Sequence, residues 1–586
     1  MLIINRGTTM PVFDYQGEKN TQLIKDALTI ESINFGAATY ADYTYTEENG
    51  WKVLDGTTLN YSGCTNPYGA FYGESLLETS AECNVMGKYD ANGKLVNIGI
   101  SFWGTGTYAS APSLQHTINT AMDTVSDVLS ALVDGYADNY VLNAYKNLMS
   151  SVAAFATANG LTGNDIIITG HSLGGLAVNS MATLSAQGQW GGFFEDASYV
   201  AFASPTQNLA DDKVLNIGYE NDPVFRVLTG HSLTLDSLFN HDTPLETCTN
   251  NIVSFNDYYA GLTNDCKIFS IANMASWAGH SGQGYTDGAL RIMDSEIYDF
   301  THQNSNIIVS NLSEAYRSTT WVSDLNKSVT HVGSTFIIGT ETNDLLQGGK
   351  GNDYLCGGGG DDSFKDHSGY NVIYGGAGTN TYVTECHIAD FTFSHDAEGT
   401  LYFKYSTGDI TRAEDIHYVN ADHTLFSLFG ININQNATWQ VTDYGLEGDS
   451  GSIAYAKSYY ADTENSFTIS TASNDSWFYS GANDSEISVN GNNNNVVSGY
   501  ADDAIHLNGS ENTLLFYGDF GHDTVYNLSA SDSLIFMANQ NIADNDSYLN
   551  HLSFEGDNAL LTYGDSSVTL VGVNTDMLSQ MHIAVA

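Results

Sequence analysis

The sequence is poor in positive charge, and this shortage excludes whole classes of partner. It contains 18 Lys and Arg against 68 Asp and Glu, which gives 586 residues a formal net charge of −50. Nucleic acid is excluded as a partner, because proteins that bind it neutralise the phosphates with Lys and Arg. Anionic membrane surfaces are disfavoured for the same reason. So large an excess of carboxylates needs cations, and divalent metal is the obvious candidate.

Long apolar runs, proline and paired cysteines are also scarce. No run reaches the roughly 18 apolar residues of a membrane span, and the first residues lack the charged and apolar regions of a signal peptide. We therefore expect a soluble protein without a cleavable Sec signal. Only 6 prolines stand against 57 glycines, which favours tightly turning backbone over Pro-rich linkers. The 6 cysteines lie far apart without zinc-site spacing, so we expect mostly free thiols.

The first 330 residues are expected to form a mixed α/β domain. Short apolar runs at 96–102 and 166–169 predict buried strands, and helical periods alternate with them. The segment Ser113–Tyr136 repeats apolar residues at steps of three and four, which predicts an amphipathic helix. Such a stripe fits a helix packed on the core and a lid over an apolar pocket equally, and the sequence leaves both interpretations open.

Five consecutive nine-residue segments follow, between residues 339 and 383: GTETNDLLQ, GGKGNDYLC, GGGGDDSFK, DHSGYNVIY and GGAGTNTYV. The pattern GGxGxDxUx is typical of a calcium-binding parallel β-roll. Glycines permit the tight turns, while carboxylates and turn carbonyls supply the hard oxygen ligands that Ca²⁺ prefers. The asparagines at the later sixth places predict weaker sites because they lack charge. The candidate ligands are Asp344, Asp353, Asp362, Asn371 and Asn380, with the turn residues Gly348, Gly351, Gly357 and Gly360.

The eighth place of each repeat is predicted to point into the core of this roll. These residues are Leu346, Leu355, Phe364, Ile373 and Tyr382. Successive repeats should lie on opposite sides, so that each ion would be shared by turns two repeats apart, such as those of Asp344 and Asp362. A fainter nine-residue period between about 474 and 525 predicts a second, partly degenerate roll, whose best-placed ligand is Asp503. Its apolar positions are Phe478, Ile487, Val496, Ile505 and Leu514.

Residues 166–180 read IIITGHSLGGLAVNS, a β-branched strand followed by G-x-S-x-G and a helical continuation. This order predicts a nucleophile elbow, in which flanking glycines let a strained Ser172 project its hydroxyl. The start of the following helix would place the Leu173 N–H where an oxyanion forms. The pattern therefore indicates nucleophilic catalysis by Ser172.

A serine hydroxyl needs a histidine to take its proton and a carboxylate to orient that histidine. Partners in this type of fold follow in the order Ser, Asp, His. Residue reasoning alone leaves several candidates open in the sequence. The acids are Asp222, Asp211, Asp212 and Asp236, and the histidines are His280, His171, His231 and His241.

Longer segments narrow this choice, because the chain resembles the bacterial RTX lipases of true-lipase family I.3. The resemblance is carried by 170–182, 200–207, 215–226, 251–260, 334–339 and the nonapeptides. Ser172, Asp222 and His280 fall on the positions of the nucleophile, acid and base in that family. The resemblance implies an α/β-hydrolase-type domain over 1–330 and a β-roll domain over 331–586. It also implies hydrolysis of triacylglycerol esters at an oil–water interface, with Ca²⁺ as cofactor.

The same resemblance implies secretion to the extracellular medium. Family members leave through a type I ABC transporter that recognises an uncleaved C-terminal signal, and the ending MHIAVA is similar to such a signal. The alternative interpretation of that ending is a last strand. We expect a monomer.

Some positions depart from the family pattern. The family usually has FRGT before its lid, where this chain has Phe102, Trp103, Gly104 and Thr105; the neighbourhood of Thr105 is the second candidate oxyanion donor. A family calcium site that holds the lid open maps to five positions, with an amide replacing one aspartate. They are Ser80, Glu82, Gly106, Asn119 and Asp123. A further structural calcium site maps around Asp242, Asn250 and Asn251.

Other functions remain open from the sequence. A calcium-dependent surface protein with an inert hydrolase-like domain would share the repeats, and the departures at Trp103 and Asn119 leave this alternative open. Within enzymes, the alternatives are a phospholipase, a polyester-cleaving esterase and a protease on a similar fold. Activity on triglycerides compared with phospholipids separates most of them.

Overall fold

Residue contacts divide the computed structural model of the chain into two units. One is Val12–Met293, and the other combines Asp294–Leu325 with His331–Ala586. The boundary at residue 330 suggested by the sequence stays a prediction, since the contacts place Asp294–Leu325 with the C-terminal unit but Asn326 with the N-terminal one. The structure describes residues 12–15, 18–33, 46–66, 69–74, 81–104, 136–208, 213–228, 240–245, 248–249, 251–261, 270–271, 273–303, 305–326, 331, 334–366, 368–428, 431–461, 468–471, 473–543 and 546–586.

The N-terminal unit is built around a mixed sheet with the order β3-β5-β6-β7-β8-β9. Its strands are β1 (Asp14–Tyr15), β2 (Glu18–Lys19), β3 (Trp51–Val53), β4 (Phe71–Tyr72), β5 (Glu82–Tyr89), β6 (Leu95–Phe102), β7 (Ile166–His171), β8 (Ser198–Phe202), β9 (Val214–Ile217) and β10 (Ile252–Asn256). β3, β5 and β6 pair antiparallel, whereas β6, β7, β8 and β9 pair parallel. The parallel strands carry their carboxyl ends to one edge, where loops can present side chains together.

Helices cover the sheet and complete the core of this unit. They are α1 (Thr21–Ser32), α2 (Tyr136–Ala158), α3 (Leu173–Ala186), α4 (Asp257–Ala260) and α5 (Gly282–Asp294). α3 is buried on almost all sides and belongs to the same apolar cluster as α2 and strands β5 to β8. A helix that is apolar all round belongs in a core. The α/β fold predicted for this half is confirmed, whereas residues 105–135, which hold most of the predicted lid helix, lie outside the described residues.

The C-terminal unit consists of strands that wind in two parallel rolls. The first contains β11 (Asn306–Asn311), β12 (Thr335–Ile338), β13 (Leu345–Gln347), β14 (Asp353–Cys356), β15 (Ser363–Lys365), β16 (Tyr370–Tyr374), β17 (Asn380–His387), β18 (Phe391–His395), β19 (Leu401–Tyr405), β20 (Ile410–Glu414), β21 (Ile416–Leu428), β22 (Ile431–Thr442), β23 (Gly445–Gly448) and β24 (Gly451–Ala454). Its two sheets have the orders β11-β12-β14-β16-β20-β19-β18 and β13-β15-β17-β21-β22-β23-β24. Helix α6 (Glu314–Arg317) precedes β12.

The second roll has two sheets with the orders β25-β27-β29-β31-β33-β37 and β26-β28-β30-β32-β36-β35-β34. Its elements are β25 (Ser458–Tyr460), β26 (Thr468–Thr471), β27 (Trp477–Tyr479), β28 (Glu486–Val489), β29 (Asn495–Ser498), β30 (Ala504–Leu507), β31 (Thr513–Tyr517), β32 (His522–Tyr526), β33 (Ser533–Met537), β34 (Leu552–Glu555), β35 (Asn558–Tyr563), β36 (Ser566–Leu570), α7 (Thr575–Leu578) and β37 (His582–Val585). From β25 to β33 consecutive strands alternate between the two sheets, as predicted for a β-roll.

The nine-residue period places every eighth-place side chain of the first roll in the core. Leu346, Leu355, Phe364, Ile373 and Tyr382 are all fully buried. Leu346 pairs with Phe364 and Leu355 with Ile373, so equivalent residues two repeats apart are neighbours. The predicted alternation of repeats between opposite sides is thus observed.

The second roll is longer than the predicted 474–525. It begins at β25 and ends at β37. The sequence period missed the last coils because their spacing departs from nine residues. Residues in equivalent turns are 18 apart at Ser485 and Asp503, but 20 apart at Asp503 and Asp523. The antiparallel strands β34 and β35 are then inserted before β36. The ending MHIAVA forms β37, which pairs parallel with β33.

The described cysteines are free thiols. They are Cys64, Cys83, Cys248, Cys356 and Cys386, while Cys266 lies outside the described residues. This agrees with the spacing of the cysteines in the sequence. None of the described helices has the length and apolar character needed to cross a membrane.

Replacing Phe364 by Ala should destabilise the first roll, because a fully buried aromatic side chain would leave a cavity in a closely packed stack. Losses of about 3–5 kcal/mol are typical of such a change. Urea unfolding in saturating calcium measures it. The matched control is Phe554→Ala in β34, where the ring is 46% exposed and the loss should stay below about 1 kcal/mol. Equal losses in the two variants would contradict the assigned core.

Candidate active site

Ser172 occupies a sharp corner between the end of β7 and the start of α3. Its backbone has φ 58° and ψ −123°, a conformation that non-glycine residues rarely adopt. Such strain costs about 1–3 kcal/mol and persists only where the surroundings enforce it. Here the Ser172 N–H donates to the carbonyl oxygen of Phe202 on the neighbouring strand, and its own carbonyl accepts from Leu176 in α3. The geometry is that of the predicted nucleophile elbow.

Glycines around the corner are required by close backbone approach. A Cβ at Gly174 would overlap the Phe102 carbonyl oxygen, and one at Gly170 would lie 2.6 Å from the Gly174 backbone. A Cβ at Gly104 would lie 3.3 Å from the Ser172 Cβ. No other residue type fits these places without moving the backbone, so the glycines hold β6, β7 and α3 close enough to shape the corner.

The structure brings Ser172, Asp222 and His280 together in one hydrogen-bonded row. His280 Nε2 lies 2.8 Å from Ser172 Oγ, and His280 Nδ1 lies 2.9 and 3.0 Å from the two Asp222 carboxylate oxygens. Asp222 follows β9, and His280 ends a 3₁₀ helix, Met274–His280, just before α5. All three side chains are largely removed from solvent. The arrangement can transfer a proton from the hydroxyl to the imidazole while the carboxylate orients the ring.

The other described histidines have different surroundings. His171 is buried beside the row, with its ring centroid 4.7 Å from that of His280. Burial, followed by the neighbouring His280, holds the pKa of His171 well below its usual value, so His171 stays neutral at pH 7. Burial, together with nearby Arg226, lowers the pKa of His241 to about 4. The competing candidates His231, Asp211, Asp212 and Asp236 lie outside the described residues.

Tyr285 is a residue of the site that the sequence did not reveal. Its hydroxyl donates to Asp222 Oδ2 at 2.7 Å, and the Val224 N–H donates to Asp222 Oδ1 at 2.8 Å. Burial and the Asp222 charge raise the pKa of Tyr285 well above its ordinary value, so the phenol keeps its proton and remains a donor. Tyr285 lies in α5, one turn beyond His280, and no local pattern distinguishes it from a core tyrosine.

A second buried contact holds the loop that carries Asp222. Asn221 exchanges two hydrogen bonds with Ser254 in β10: its Nδ2 donates to the Ser254 carbonyl at 2.8 Å, and its Oδ1 accepts the Ser254 N–H at 3.0 Å. Because both partners are backbone groups of Ser254, the Asn221 side chain binds β10 as the backbone of a neighbouring strand would. The position of Asp222 is therefore set by main chain on both sides.

The structure describes one of the two candidate oxyanion donors, Leu173. Leu173 begins α3, so its N–H belongs to the first, unpaired turn of a helix whose dipole favours negative charge. Thr105 lies outside the described residues. The preceding Trp103, which departs from the family pattern, is buried and donates from its indole nitrogen to Asn84 Oδ1.

The calcium sites expected in the N-terminal unit are only partly described. Glu82 is half-buried, and burial raises its pKa while a hydrogen bond from Asn66 opposes the rise. Asp242 accepts the Thr243 N–H on its carboxylate, and Asn251 adjoins β10. The remaining expected ligands, Ser80, Gly106, Asn119, Asp123 and Asn250, lie outside the described residues, so both sites stay predictions.

The middle of the first roll presents buried carboxylates that need a cation. Among the described residues, no donor reaches Asp353 Oδ1 or Asp362 Oδ2, although both are buried. Burial raises the pKa of Asp353 to about 7 and that of Asp362 to about 8, which expresses the cost of these charges without a counter-ion. Gly348 leaves room for Asp353, since an added Cβ would lie 2.6 Å from its Oδ2. These residues fit Ca²⁺.

The other sixth places of the first roll are satisfied by protein groups. Asp344 accepts from Ser310 and from Thr340, and Arg317 Nε lies 3.8 Å from its Oδ1. The Asn371 amide donates to the buried Asp366 at 3.0 Å. The Asn380 amide donates to two backbone carbonyls. At these three places Arg317 and the amide groups of Asn371 and Asn380 thus take the role of a bound cation.

The candidate ligand of the second roll is satisfied in the same way. Asp503 accepts from the Ser485 N–H at 2.9 Å and from the Ser498 hydroxyl at 3.3 Å, and Ser498 also donates to Asp523 at 2.7 Å. Within the described ranges, no three His, Cys, Asp or Glu side chains converge as a metal cluster. In the first roll, Asp353 and Asp362 each keep one buried oxygen without a donor among the described residues.

Comparison with known proteins agrees with this geometry. Residues 332–364 and 357–385 match the model of the RTX calcium-binding nonapeptide repeat. A lipase of Pseudomonas fluorescens is 47% identical over 297 residues, which cover 50% of this chain and 61% of that protein. A second lipase of that species is 46% identical over 287 residues, covering 49% and 63%. The chain thus spans less than two thirds of the length of these relatives.

A solved structure decides the family. The crystal structure of the extracellular lipase LipA from Serratia marcescens superposes with a TM-score of 0.89 at 39% identity, covering 99% of this chain and 100% of that one. The chain belongs to the RTX lipases of family I.3. As in the RTX lipase family, the nonapeptide roll binds Ca²⁺, and Asp353 and Asp362 are the described residues best suited to hold it.

Replacing Tyr285 by Phe should slow the reaction of Ser172 about tenfold, because a hydrogen bond to a buried carboxylate contributes about 1.5 kcal/mol. The rate of labelling by a fluorophosphonate, which reacts with activated serines, measures this directly. Tyr316→Phe, at a tyrosine that is 46% exposed, is the matched control and should label at the native rate. An unchanged rate in Tyr285→Phe would remove Tyr285 from the site.

Replacing Asp362 by Asn should raise the calcium concentration needed to fold the first roll about tenfold, since the site loses a charge. Circular dichroism during a calcium titration of the chelated full chain gives the midpoint. Asp557→Asn, in an exposed turn, should leave the midpoint unchanged. If both variants titrate like the native chain, Asp362 is not a ligand.

Proposed function

We propose that the chain is an extracellular triacylglycerol lipase, a serine ester hydrolase that works through an acyl-enzyme. The observation that carries the proposal is the hydrogen-bonded row in which His280 bridges Ser172 at 2.8 Å and Asp222 at 2.9 Å. The strained corner at Ser172 supports the same conclusion. The similarity to proteins named lipases supports a lipid ester as the substrate class.

In the proposed reaction Ser172 Oγ attacks the ester carbonyl while His280 Nε2 takes its proton. The charged oxygen of the intermediate accepts the Leu173 N–H, with a second donor expected near Thr105. His280 then gives its proton to the leaving alkoxide, and an acyl-Ser172 remains. Water, deprotonated by His280, attacks this ester and releases the fatty acid.

Two buried groups support the transient charge on His280. Asp222 lies opposite Nδ1 and is held by Tyr285 and Val224. His171 remains neutral at its distance of 4.7 Å, so the imidazolium of His280 meets no like charge there. Both features favour transfer of the Ser172 hydroxyl proton to His280 Nε2.

Calcium connects folding with secretion in this proposal. Where calcium is scarce, the roll carboxylates repel one another and the chain stays extended, which suits passage through a type I ABC transporter. Outside the cell, binding to Asp353 and Asp362 favours the folded roll by mass action. The ending MHIAVA would act as the uncleaved signal before it becomes β37. We infer that the secreted form is a monomer.

Replacing Ser172 by Ala should abolish hydrolysis of a long-chain p-nitrophenyl ester, with a loss of at least about 10⁴-fold in kcat because no other group can form the acyl-enzyme. The matched control is Ser150→Ala on the exposed face of α2, which should keep native activity. Calcium-dependent circular dichroism should be the same in both variants. Residual turnover in Ser172→Ala near the native rate would overturn the assigned nucleophile.

A further inference from the structure

A cavity of about 450 Å³ lies within the C-terminal unit, far along the chain from Ser172. Strands β19 and β20 of the first roll form part of its wall, and β25, β27, β29 and β31 of the second roll form the rest. The volume lies in the range of small-molecule pockets. Neither the family model nor the calcium sites account for it, because the residues around it lie beyond the nonapeptides.

Tyrosine rings form the wall of this cavity. Tyr402, Tyr479 and Tyr517 are buried in it, and the Tyr402 and Tyr479 centroids lie 5.6 Å apart. Tyr460 stacks on Tyr479 at 5.4 Å with an angle of 10° between the rings. Tyr500 stands at the rim and is 65% exposed. Exposed and half-exposed aromatic rings beside a cavity offer flat apolar faces that a ligand can cover.

One wall of the cavity holds an arginine that the protein only partly satisfies. Arg412 is 5% exposed, pairs with Glu414 through Nη2 at 2.5 Å, and lies over the Tyr517 ring at 4.0 Å. Among the described residues, no acceptor reaches its Nε or Nη1. Because these two nitrogens are fully buried, the arginine acts on the cavity through its positive charge and not through a hydrogen bond to a ligand.

The charges around the cavity restrict that ligand further. Asp396, Glu398, Glu414 and Asp415 line it and outnumber the single arginine. An anion would be repelled by these carboxylates, and a cation would meet the Arg412 guanidinium on the buried side. A neutral ligand rich in hydroxyl groups avoids both repulsions, because it carries no charge and its hydroxyls can donate to the carboxylates.

We propose that this cavity binds a neutral sugar ring. The C–H face of such a ring is apolar and would cover Tyr460 or Tyr500, while its hydroxyls would donate to the carboxylates that line the cavity. The volume accommodates one or two sugar rings. The site would attach the secreted enzyme to a polysaccharide surface, and it does not depend on the ester hydrolysis proposed above.

The test is isothermal titration of the full chain in saturating calcium with glucose, galactose, mannose and N-acetylglucosamine. We expect saturable binding of at least one of them. Tyr500→Ala and Tyr460→Ala, at solvent-accessible rings, should each weaken that binding about tenfold, since each removes a stacking face. The matched control Tyr444→Ala, at a ring that is 79% exposed and outside the cavity, should bind like the native chain.

Circular dichroism of the variants verifies that they fold. Failure of all four sugars to bind saturably overturns the proposal. So does native affinity in both Tyr500→Ala and Tyr460→Ala. Acetate and inorganic phosphate serve as the anionic probes. If one of them binds, none of the sugars does, and the binding is lost in Tyr500→Ala, then the ligand is an anion and the proposal of a neutral sugar is overturned.

Discussion

The C-terminal unit depends on a single repeated interaction, in which a side-chain oxygen at the sixth place of one coil accepts the backbone N–H of the sixth place two repeats earlier. Asp362, Asn380 and Asp503 all make this contact. It aligns the stack, but it also buries an oxygen whose remaining lone pairs need a partner. The coils differ in this partner: Ser310 and Thr340 donate to Asp344 beside the charge of Arg317, serine hydroxyls donate in the second roll, and calcium is assigned to Asp353 and Asp362. Metal dependence is therefore concentrated at Asp353 and Asp362, where one carboxylate oxygen has no donor among the described residues.

The N-terminal unit meets a comparable constraint at Ser172. A left-handed backbone at a serine is unfavourable, so the close approach of Phe102 to Gly174 and the hydrogen bond from Ser172 to Phe202 must hold it in place. Asp222 is buried and meets His280, Tyr285 and the Val224 N–H together. In both units, then, a strained or charged group is tolerated because the main chain around it is fixed on several sides.

Much of this architecture follows from local patterns, and the remainder depends on contacts distant in sequence. Strict nine-residue spacing predicted the core positions from Leu346 to Tyr382, and the Gly-x-Ser-x-Gly turn predicted the corner at Ser172. Residue patterns left Asp222 and His280 among several candidates, since neither is marked by its own neighbours; only the family resemblance singled them out. Tyr285 and Arg317 act through partners far away in the chain, and the coils after residue 518 lengthen their turns, so no short pattern signals them.

The alternation of strands between two sheets limits how such a tail can evolve. Loss of nine residues would send every later strand to the opposite wall and break each existing register, whereas loss or duplication of eighteen would leave all the remaining pairs aligned. Gains and losses in units of eighteen are therefore the changes that natural selection can accept. The hairpin of β34 and β35 shows a different route, in which extra chain loops out at an edge while the winding continues beneath it.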